Sequence, residues 1–134
     1  MFTEEVKIRV RYAETDQMGY VYYGNYAIYF EVARVEAMRA IGFSYKEMED
    51  RGIMMPVLEL KNEFKSPGRY DEELTIKISV PEMPTLRIKF VYDVRGEDGR
   101  QVCLGETTLV WVKKDSSRPV RMPEELVKLL EPHF

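Results

Sequence analysis

The sequence predicts a single domain of the α+β class, spanning residues 1–134, in which one curled antiparallel sheet wraps around one long buried helix. Apolar residues recur at helical spacing over residues 26–41 and cover nearly the whole helix surface. After Pro56 the apolar residues alternate with polar ones, which is the period of half-buried strands. Helix and strands are therefore segregated along the chain, as in α+β proteins.

The first strand and the long helix flank a segment rich in turn formers and aromatic residues. Apolar and charged residues alternate over residues 6–12, which predicts the first strand. The turn-rich segment covers residues 13–25. The long helix follows over residues 26–41, with Asn25 as the expected N-cap and Gly42 as the residue that ends it.

Two shorter helices are expected. Ser44 and Glu47 form a capping-box pattern, and Gly52 ends the helix that they begin. Near the C-terminus, Pro123 suits the first position of a tail helix that ends before Pro132.

Four further strands account for the central part of the chain. Their alternating segments are residues 58–64, 74–80, 86–94 and about 101–113. The breaks at residues 81–84 and 96–99 predict tight hairpins, so neighbouring strands run antiparallel. The open edges of such a sheet favour pairing with a second copy of the chain.

Composition and charge exclude several classes of partner. The net charge of -3 argues against a general nucleic-acid binder, which needs a positive field. Cys103 is the single cysteine, so no internal disulfide forms. No apolar run approaches the roughly 18 residues that span a membrane, and the first ten residues lack a signal-peptide pattern. We therefore expect a reducing, cytoplasmic setting without membrane insertion.

Most catalytic machineries that are recognisable in a sequence are absent. His133 is the only histidine, so a histidine-based triad inside the fold is excluded, and no G-x-S-x-G elbow occurs. The residues for a zinc site, a P-loop or a dinucleotide fingerprint are also missing, so no metal and no bound cofactor are expected. Carboxylate, tyrosine and lysine side chains remain as candidates for acid–base or nucleophilic chemistry.

Asp16 is the most favourably placed of these candidates. It precedes Gly19 in the segment between the first strand and the long helix, close to the helix N-terminus. The unpaired N–H groups and the positive dipole end of a helix stabilise an oxyanion, and a nearby carboxylate attacks a carbonyl or activates water. From spacing alone, the interpretation of Asp16 as an ordinary turn residue is favoured.

Residues 11–42 strengthen the catalytic interpretation. They read RYAETDQMGYVYYGNYAIYFEVARVEAMRAIG and resemble the signature of hotdog-fold acyl-CoA thioesterases. The branch is the 4-hydroxybenzoyl-CoA thioesterase-like one, and the segment is also similar to the Tol–Pal-associated acyl-CoA thioesterases. Matching positions are Tyr12, Glu14, Thr15, Asp16, Gly19, Val21, Tyr22, Asn25, Tyr26, Tyr29, Phe30, Glu31, Ala33 and Arg34.

The resemblance implies a function and an assembly. It implies a hotdog fold, hydrolysis of acyl-CoA thioesters, a homodimer or homotetramer, and an active site shared between subunits. Asp16 takes the position of the catalytic aspartate, as general base or as nucleophile. Many Tol–Pal-associated members have a histidine where this chain has Tyr23, whereas the 4-hydroxybenzoyl-CoA enzyme has a tyrosine.

The expected substrate groove lies beside the long helix. The backbone N–H groups of Tyr23 and Gly24 are expected to form the oxyanion hole. Four residues of the same segment are expected to contact substrate: Gly19, Tyr22, Asn25 and Tyr26. Arg87 and Lys89 share one face of a strand and are candidates for binding coenzyme A phosphates. Lys65 and Arg69 are weaker candidates for the same role, and a solvated face is the alternative for all four.

Three other residues and two rival functions complete the expectations. Glu31 is expected to pair with Arg34 or a strand lysine, with a role as second acid or base as the alternative. Cys103 is expected to be an inert strand residue, and Trp111 a core residue. A hotdog dehydratase is one rival, although that chemistry uses a histidine. A non-catalytic acyl-CoA-binding or scaffold protein is the other.

Overall fold

The computed structural model describes residues 1–134 and has the predicted α+β architecture. The strands are β1 (Phe2–Arg9), β2 (Ile53–Met54), β3 (Val57–Phe64), β4 (Glu73–Val80), β5 (Arg87–Arg95), β6 (Gln101–Lys113) and β7 (Pro119–Val120). The helices are α1 (Asn25–Ala40), α2 (Tyr45–Asp50) and α3 (Glu124–Leu130), with 3-10 turns at Tyr12–Glu14 and Glu131–His133.

The sheet is antiparallel throughout, as the hairpin pattern predicts. Strands β1, β4, β5, β6 and β3 lie side by side in this order. The far end of β6 also pairs with the two-residue strands β2 and β7. On its other side β3 has no neighbour in the chain, so it forms an open edge.

Helix α1 packs against the inner face of the sheet. Alternate residues of β4 and β5 are fully buried there: Leu74, Ile76, Ile78, Val80, Ile88, Phe90, Tyr92 and Val94. Burial of each such side chain contributes about 1.5–3 kcal/mol. Helix and sheet approach closely at Gly105 of β6, where an added Cβ would lie 2.5 Å from the Phe30 ring. The Phe30 ring also stacks on Tyr92, with centroids 4.1 Å apart.

The ends of several elements differ from the sequence prediction. The first strand begins at Phe2 and ends at Arg9, because the chain turns at Tyr12–Glu14 instead of continuing extended. The N-cap of α1 is Gly24, and the Asn25 side chain donates to the Glu14 carbonyl instead. For the short helix, the expected Ser44 cap is confirmed.

The tail of the chain folds back onto the core. Pro123 is the N-cap of α3 and not its first residue, so the helix begins one position later than predicted, at Glu124. Its Leu126 and Leu130 are fully buried. None of the three helices combines the length and the apolar composition needed to cross a bilayer.

One face of α1 remains uncovered in the single chain, contrary to the expectation of burial all round. Ile28 and Val32 are 53% and 40% exposed. Val57, Leu60 and Phe64 of the edge strand β3 are also exposed, although they pair with inward-facing residues of β6. We call these five residues the β3-edge patch. Uncovered apolar surface of this kind marks an interaction site.

Candidate active site

The loop that carries Asp16 is a tight turn fixed by its own backbone. The Asp16 N–H donates to the Tyr20 carbonyl at 2.8 Å, and the Gly19 N–H donates to the Asp16 carbonyl at 3.0 Å. Gly19 has a φ of 75°, a conformation that other residues adopt only with strain. An antiparallel bridge between Thr15 and Val21 closes the turn. Gly19 therefore shapes the loop.

The Asp16 carboxylate is held by one oxygen and free at the other. Its Oδ1 accepts hydrogen bonds from the N–H groups of Met18, at 2.9 Å, and Tyr20, at 3.2 Å. No protein group donates to Oδ2, and the side chain is partly exposed. The turn thus fixes the orientation of the carboxylate and leaves one oxygen available for chemistry.

A pocket of about 410 Å³ brings this carboxylate to the start of α1 and the end of β3. Its walls are Asp16, Tyr20, Val21, Tyr23, Tyr26, Phe64, Lys65, Ser66 and Pro67. We call it the Asp16 pocket. Of the predicted site residues, the structure therefore brings Asp16, Tyr23 and Tyr26 together, and it adds the weaker candidate Lys65.

The N-terminus of α1 presents two unused backbone donors beside this pocket. The N–H groups of Asn25 and Tyr26 donate to the carbonyls of Tyr22 and Tyr23, at 2.9 and 3.3 Å. In contrast, the N–H groups of Tyr23 and Gly24 have no acceptor within the protein. α1 is 16 residues long, so its positive dipole end adds to these donors. The arrangement suits a developing negative charge on a carbonyl oxygen.

Glu14 joins the Asp16 loop to α1, a role that the sequence did not reveal. Its Oε1 accepts from the Tyr29 hydroxyl, at 2.9 Å, and from the Arg11 N–H, at 2.8 Å. The Arg11 guanidinium donates to Oε2. Burial tends to raise the pKa of Glu14, but these hydrogen bonds outweigh it and the pKa lies below its usual value. Glu14 is thus an ionised, fully bonded anchor.

Comparisons with known proteins identify the family. The family model described as the thioesterase-like superfamily matches residues 10–130. The chain belongs to this superfamily. Its relatives include YneP of Bacillus subtilis, provisionally named an acyl-CoA thioesterase, at 31% identity over 90% of this chain and 88% of that one. The acyl-CoA thioester hydrolase YbgC of Escherichia coli is 26% identical, with 90% of each chain covered.

A solved structure supports the fold assignment. The DHNA-CoA thioesterase of Staphylococcus aureus superimposes with a TM-score of 0.90 and 35% identity, covering 99% of this chain and 95% of that one. The predicted hotdog fold, the predicted family and the predicted enzyme class, a thioester hydrolase, are thereby confirmed.

The other residues expected to contact substrate in this thioesterase have varied surroundings. The Asn25 amide is committed to the Glu14 carbonyl, at 2.8 Å. Tyr22 is exposed and lies against Tyr23, with ring centroids 4.5 Å apart. Tyr26 is buried at the base of the Asp16 pocket, and burial raises its pKa to about 12. Tyr26 is therefore a neutral wall at physiological pH.

The predicted phosphate-binding cations do not line the Asp16 pocket of this chain. Arg87 and Lys89 start β5, with Lys89 opposite Thr108, whereas Phe64 lies opposite Cys103. The β6 residues opposite Lys89 and Phe64 are therefore five positions apart, which corresponds to about 17 Å along the strand. The Lys89 ammonium is 3.6 Å from Glu106. A phosphate-binding role for Arg87 and Lys89 stays a prediction.

Several side chains outside the pocket correct or confirm the remaining expectations. Glu31 is exposed and forms no ion pair with Arg34 or a lysine, because the Arg34 guanidinium turns inward to the Tyr92 hydroxyl, 3.1 Å away.

Cys103 is buried in β6, and burial raises its pKa to about 12, which suppresses thiolate chemistry. Trp111 is a fully buried core residue, as expected. No group of three His, Cys, Asp or Glu side chains is arranged to hold a metal.

Proposed function

We propose that this thioesterase hydrolyses acyl-CoA to the free acid and coenzyme A, with Asp16 as the reacting carboxylate. The observation that supports the proposal is the pairing of a half-free carboxylate with two unused N–H donors at the start of α1. One belongs to Tyr23 in the pocket wall and the other to Gly24, the next residue in the chain. The thioester carbonyl oxygen would accept hydrogen bonds from the N–H groups of Tyr23 and Gly24. The free oxygen of Asp16 would face the carbonyl carbon or a water beside it.

Two chemical routes fit this geometry. As nucleophile, Asp16 attacks the carbonyl carbon, expels the coenzyme A thiolate and forms a mixed anhydride that water then hydrolyses. As base, Asp16 takes a proton from water while the water oxygen attacks the carbonyl, and collapse of the tetrahedral intermediate releases the thiolate, which is then protonated. Each route consumes one water and needs no metal or bound cofactor.

The proposed assembly is a homodimer built on β3, or a tetramer of such dimers. The open edge of β3 offers unpaired backbone groups, and the β3-edge patch offers apolar surface beside them. Pairing of two β3 strands across a two-fold axis would cover both. Phe64 lies in the patch and in the wall of the Asp16 pocket, so the partner would also complete that wall. The cytoplasmic location stays a prediction.

The deciding experiment is a thiol-release assay on a panel of aliphatic and aromatic acyl-CoA substrates, repeated with a metal chelator. We expect turnover that survives the chelator. Aryl-CoA belongs in the panel because a similar structure is that of a DHNA-CoA thioesterase. Binding of coenzyme A by calorimetry without turnover of any substrate would contradict the proposal and indicate a binding or scaffold protein.

A single-turnover experiment in ¹⁸O-labelled water separates the two routes. The anhydride route can place the label in the Asp16 carboxylate, which mass spectrometry of the isolated peptide detects. The base route labels only the free acid. Light scattering of the same preparation at micromolar concentration tests the assembly, and a monomer would contradict it.

A further inference from the structure

A second pocket, of about 500 Å³, lies beside the C-terminal half of α1. Its apolar wall comes from Val35, Phe43, Met55 and Val57. Its polar lining has three cations and two carboxylates, with Ser44 and Tyr45 between them: Arg34, Arg39, Lys46, Glu31 and Glu49. We call it the Arg34 pocket. Nothing in the hydrolytic chemistry around Asp16 uses these groups.

Arg34 is a buried cation without an ion-pair partner, and the nearby carboxylate of Glu31 on the pocket rim does not reach it. The side chain is 7% exposed, and no carboxylate lies within ion-pair distance of it. Its one hydrogen bond goes to Tyr92, and its buried Nε has no acceptor. The Tyr45 hydroxyl, next to it, is also buried without a partner. An unpaired buried charge is costly, so a protein that retains one commonly supplies its anion from outside.

The two ends of β3 relate this pocket to the catalytic one. Val57, at the start of β3, lines the Arg34 pocket, and Phe64, at the end of β3, lines the Asp16 pocket. In an antiparallel pair of β3 strands, the start of one strand lies beside the end of the other. The proposed dimer therefore places the Arg34 pocket of one protomer next to the Asp16 pocket of its partner.

We infer that the Arg34 pocket binds a carboxylate at the far end of the acyl group, so that the preferred substrates are coenzyme A monothioesters of small dicarboxylic acids. The inference rests on the proposed function and on the proposed dimer. A carboxylate can accept two parallel hydrogen bonds from the Nε and Nη of Arg34 and a third from Tyr45. The apolar wall suits the intervening methylene groups. A neutral acyl chain would leave the cation unpaired.

Matched substrates test this inference directly. Glutaryl-CoA is compared with 5-methylhexanoyl-CoA, which replaces the terminal carboxylate by a branched pair of methyl groups, and succinyl- and adipyl-CoA vary the length. We expect kcat/KM for the best dicarboxylic substrate to exceed that for its neutral counterpart by about 10-fold or more, which is typical of a charge-assisted hydrogen-bonded group. Turnover of neutral acyl-CoA without this preference overturns the inference and leaves the proposed function standing.

Variants of the pocket give a second readout. The quantity is kcat/KM for glutaryl-CoA divided by kcat/KM for 5-methylhexanoyl-CoA. Arg34→Met keeps the side-chain length and removes the charge, so the ratio should fall toward one. Arg34→Lys should retain part of it, and Tyr45→Phe should lower it by less than Arg34→Met. Arg118→Met, an exposed arginine in the turn before β7, is the matched control and should leave the ratio unchanged. An unchanged ratio in both Arg34→Met and Tyr45→Phe overturns the inference.

Mixed dimers test whether the two pockets meet across the interface. Asp16→Asn and Arg34→Met chains are co-expressed with different tags, and the mixed species is purified. If Asp16 and Arg34 of one site come from different chains, each mixed dimer contains one site with both defects and one intact site, so about half of the wild-type activity on glutaryl-CoA returns. If both residues come from one chain, no intact site forms, and activity at the level of the Arg34→Met sites alone overturns the shared-pocket geometry.

Discussion

Glu14 and Asp16 are two carboxylates in one loop, two residues apart, with opposite surroundings. Both oxygens of Glu14 accept hydrogen bonds, from Arg11 and Tyr29. Only one oxygen of Asp16 is so occupied. A fully bonded carboxylate is stabilised as an anion and has no lone pair directed at a substrate, whereas a half-bonded one is oriented yet available. Hydrogen-bond satisfaction, and not residue type, separates the anchor Glu14 from Asp16, the carboxylate proposed to react.

The largest effect is expected for Asp16→Asn. The amide keeps the shape and removes both the base and the anionic nucleophile, so kcat should fall about 100-fold or more. The measurement is kcat on the best acyl-CoA substrate, with the melting temperature as a check on folding. Glu36→Gln is the matched control, because Glu36 is an exposed acid on α1 that lines neither pocket. Glu31→Gln tests the rival acid of the same helix. An inactive Glu31→Gln beside an active Asp16→Asn would place the chemistry on the helix instead.

Glu14→Gln should lower stability more than chemistry. Glu14 is 12% exposed, so losing its charge-assisted bonds should reduce the free energy of unfolding by about 1–3 kcal/mol, with kcat falling by less than about 10-fold. Urea unfolding gives the first quantity and steady-state kinetics the second. Tyr29→Phe removes one of the same hydrogen bonds and should reduce the free energy of unfolding by less than Glu14→Gln does. A kcat loss in Glu14→Gln as large as that in Asp16→Asn would show that Glu14 is not only a structural anchor but is also needed for the chemistry.

The contribution of Glu14 should also depend on pH. Its folded-state pKa is lowered, so its stabilisation is fully present above the unfolded pKa of about 4.3 and disappears as the pH falls through the lower folded pKa. The difference in unfolding free energy between wild type and Glu14→Gln should therefore be constant at neutral pH and shrink below about pH 4. A difference that grows on acidification would show that the folded-state pKa is raised.

Arg11→Gln is expected to have the smallest effect. The guanidinium is 80% exposed, and the Arg11 backbone N–H still donates to Glu14 after the substitution. The loss of unfolding free energy should be no more than about 0.5 kcal/mol and should fall further in high salt. A loss that equals that of Glu14→Gln would mean that the ion pair, and not the buried hydrogen bonds, anchors the loop.

The sequence predicted the elements of the fold because its patterns are local. Alternation in β4, β5 and β6 and the helical spacing in α1 are properties of neighbouring residues. The two-residue strands β2 and β7 carry too few residues for a period and were not predicted. The N-cap was misplaced at Asn25, which is already the first residue of the helix. Its side-chain amide donates to the backbone carbonyl of Glu14, which only the folded loop brings near.

The site was predictable where it depends on one segment. Asp16, Tyr23 and Tyr26 are close in sequence and meet in one pocket. Arg34 was considered as an ion-pair partner of Glu31, yet its guanidinium is buried against Tyr92, 58 positions away. Such a contact has no periodic signature, because it depends on which turn of the helix faces which strand. The same limit explains why the anchor role of Glu14 was missed.

The contact between Gly105 and Phe30 sets how far α1 stands from the sheet. Both pockets lie along that helix, although Gly105 lines neither of them. An added Cβ at position 105 would collide with the Phe30 ring, so this ring, and with it the packing of α1 on the sheet, would have to shift. Changes in acyl specificity could therefore arise from a glycine in the middle of a strand, without a substitution in either binding wall.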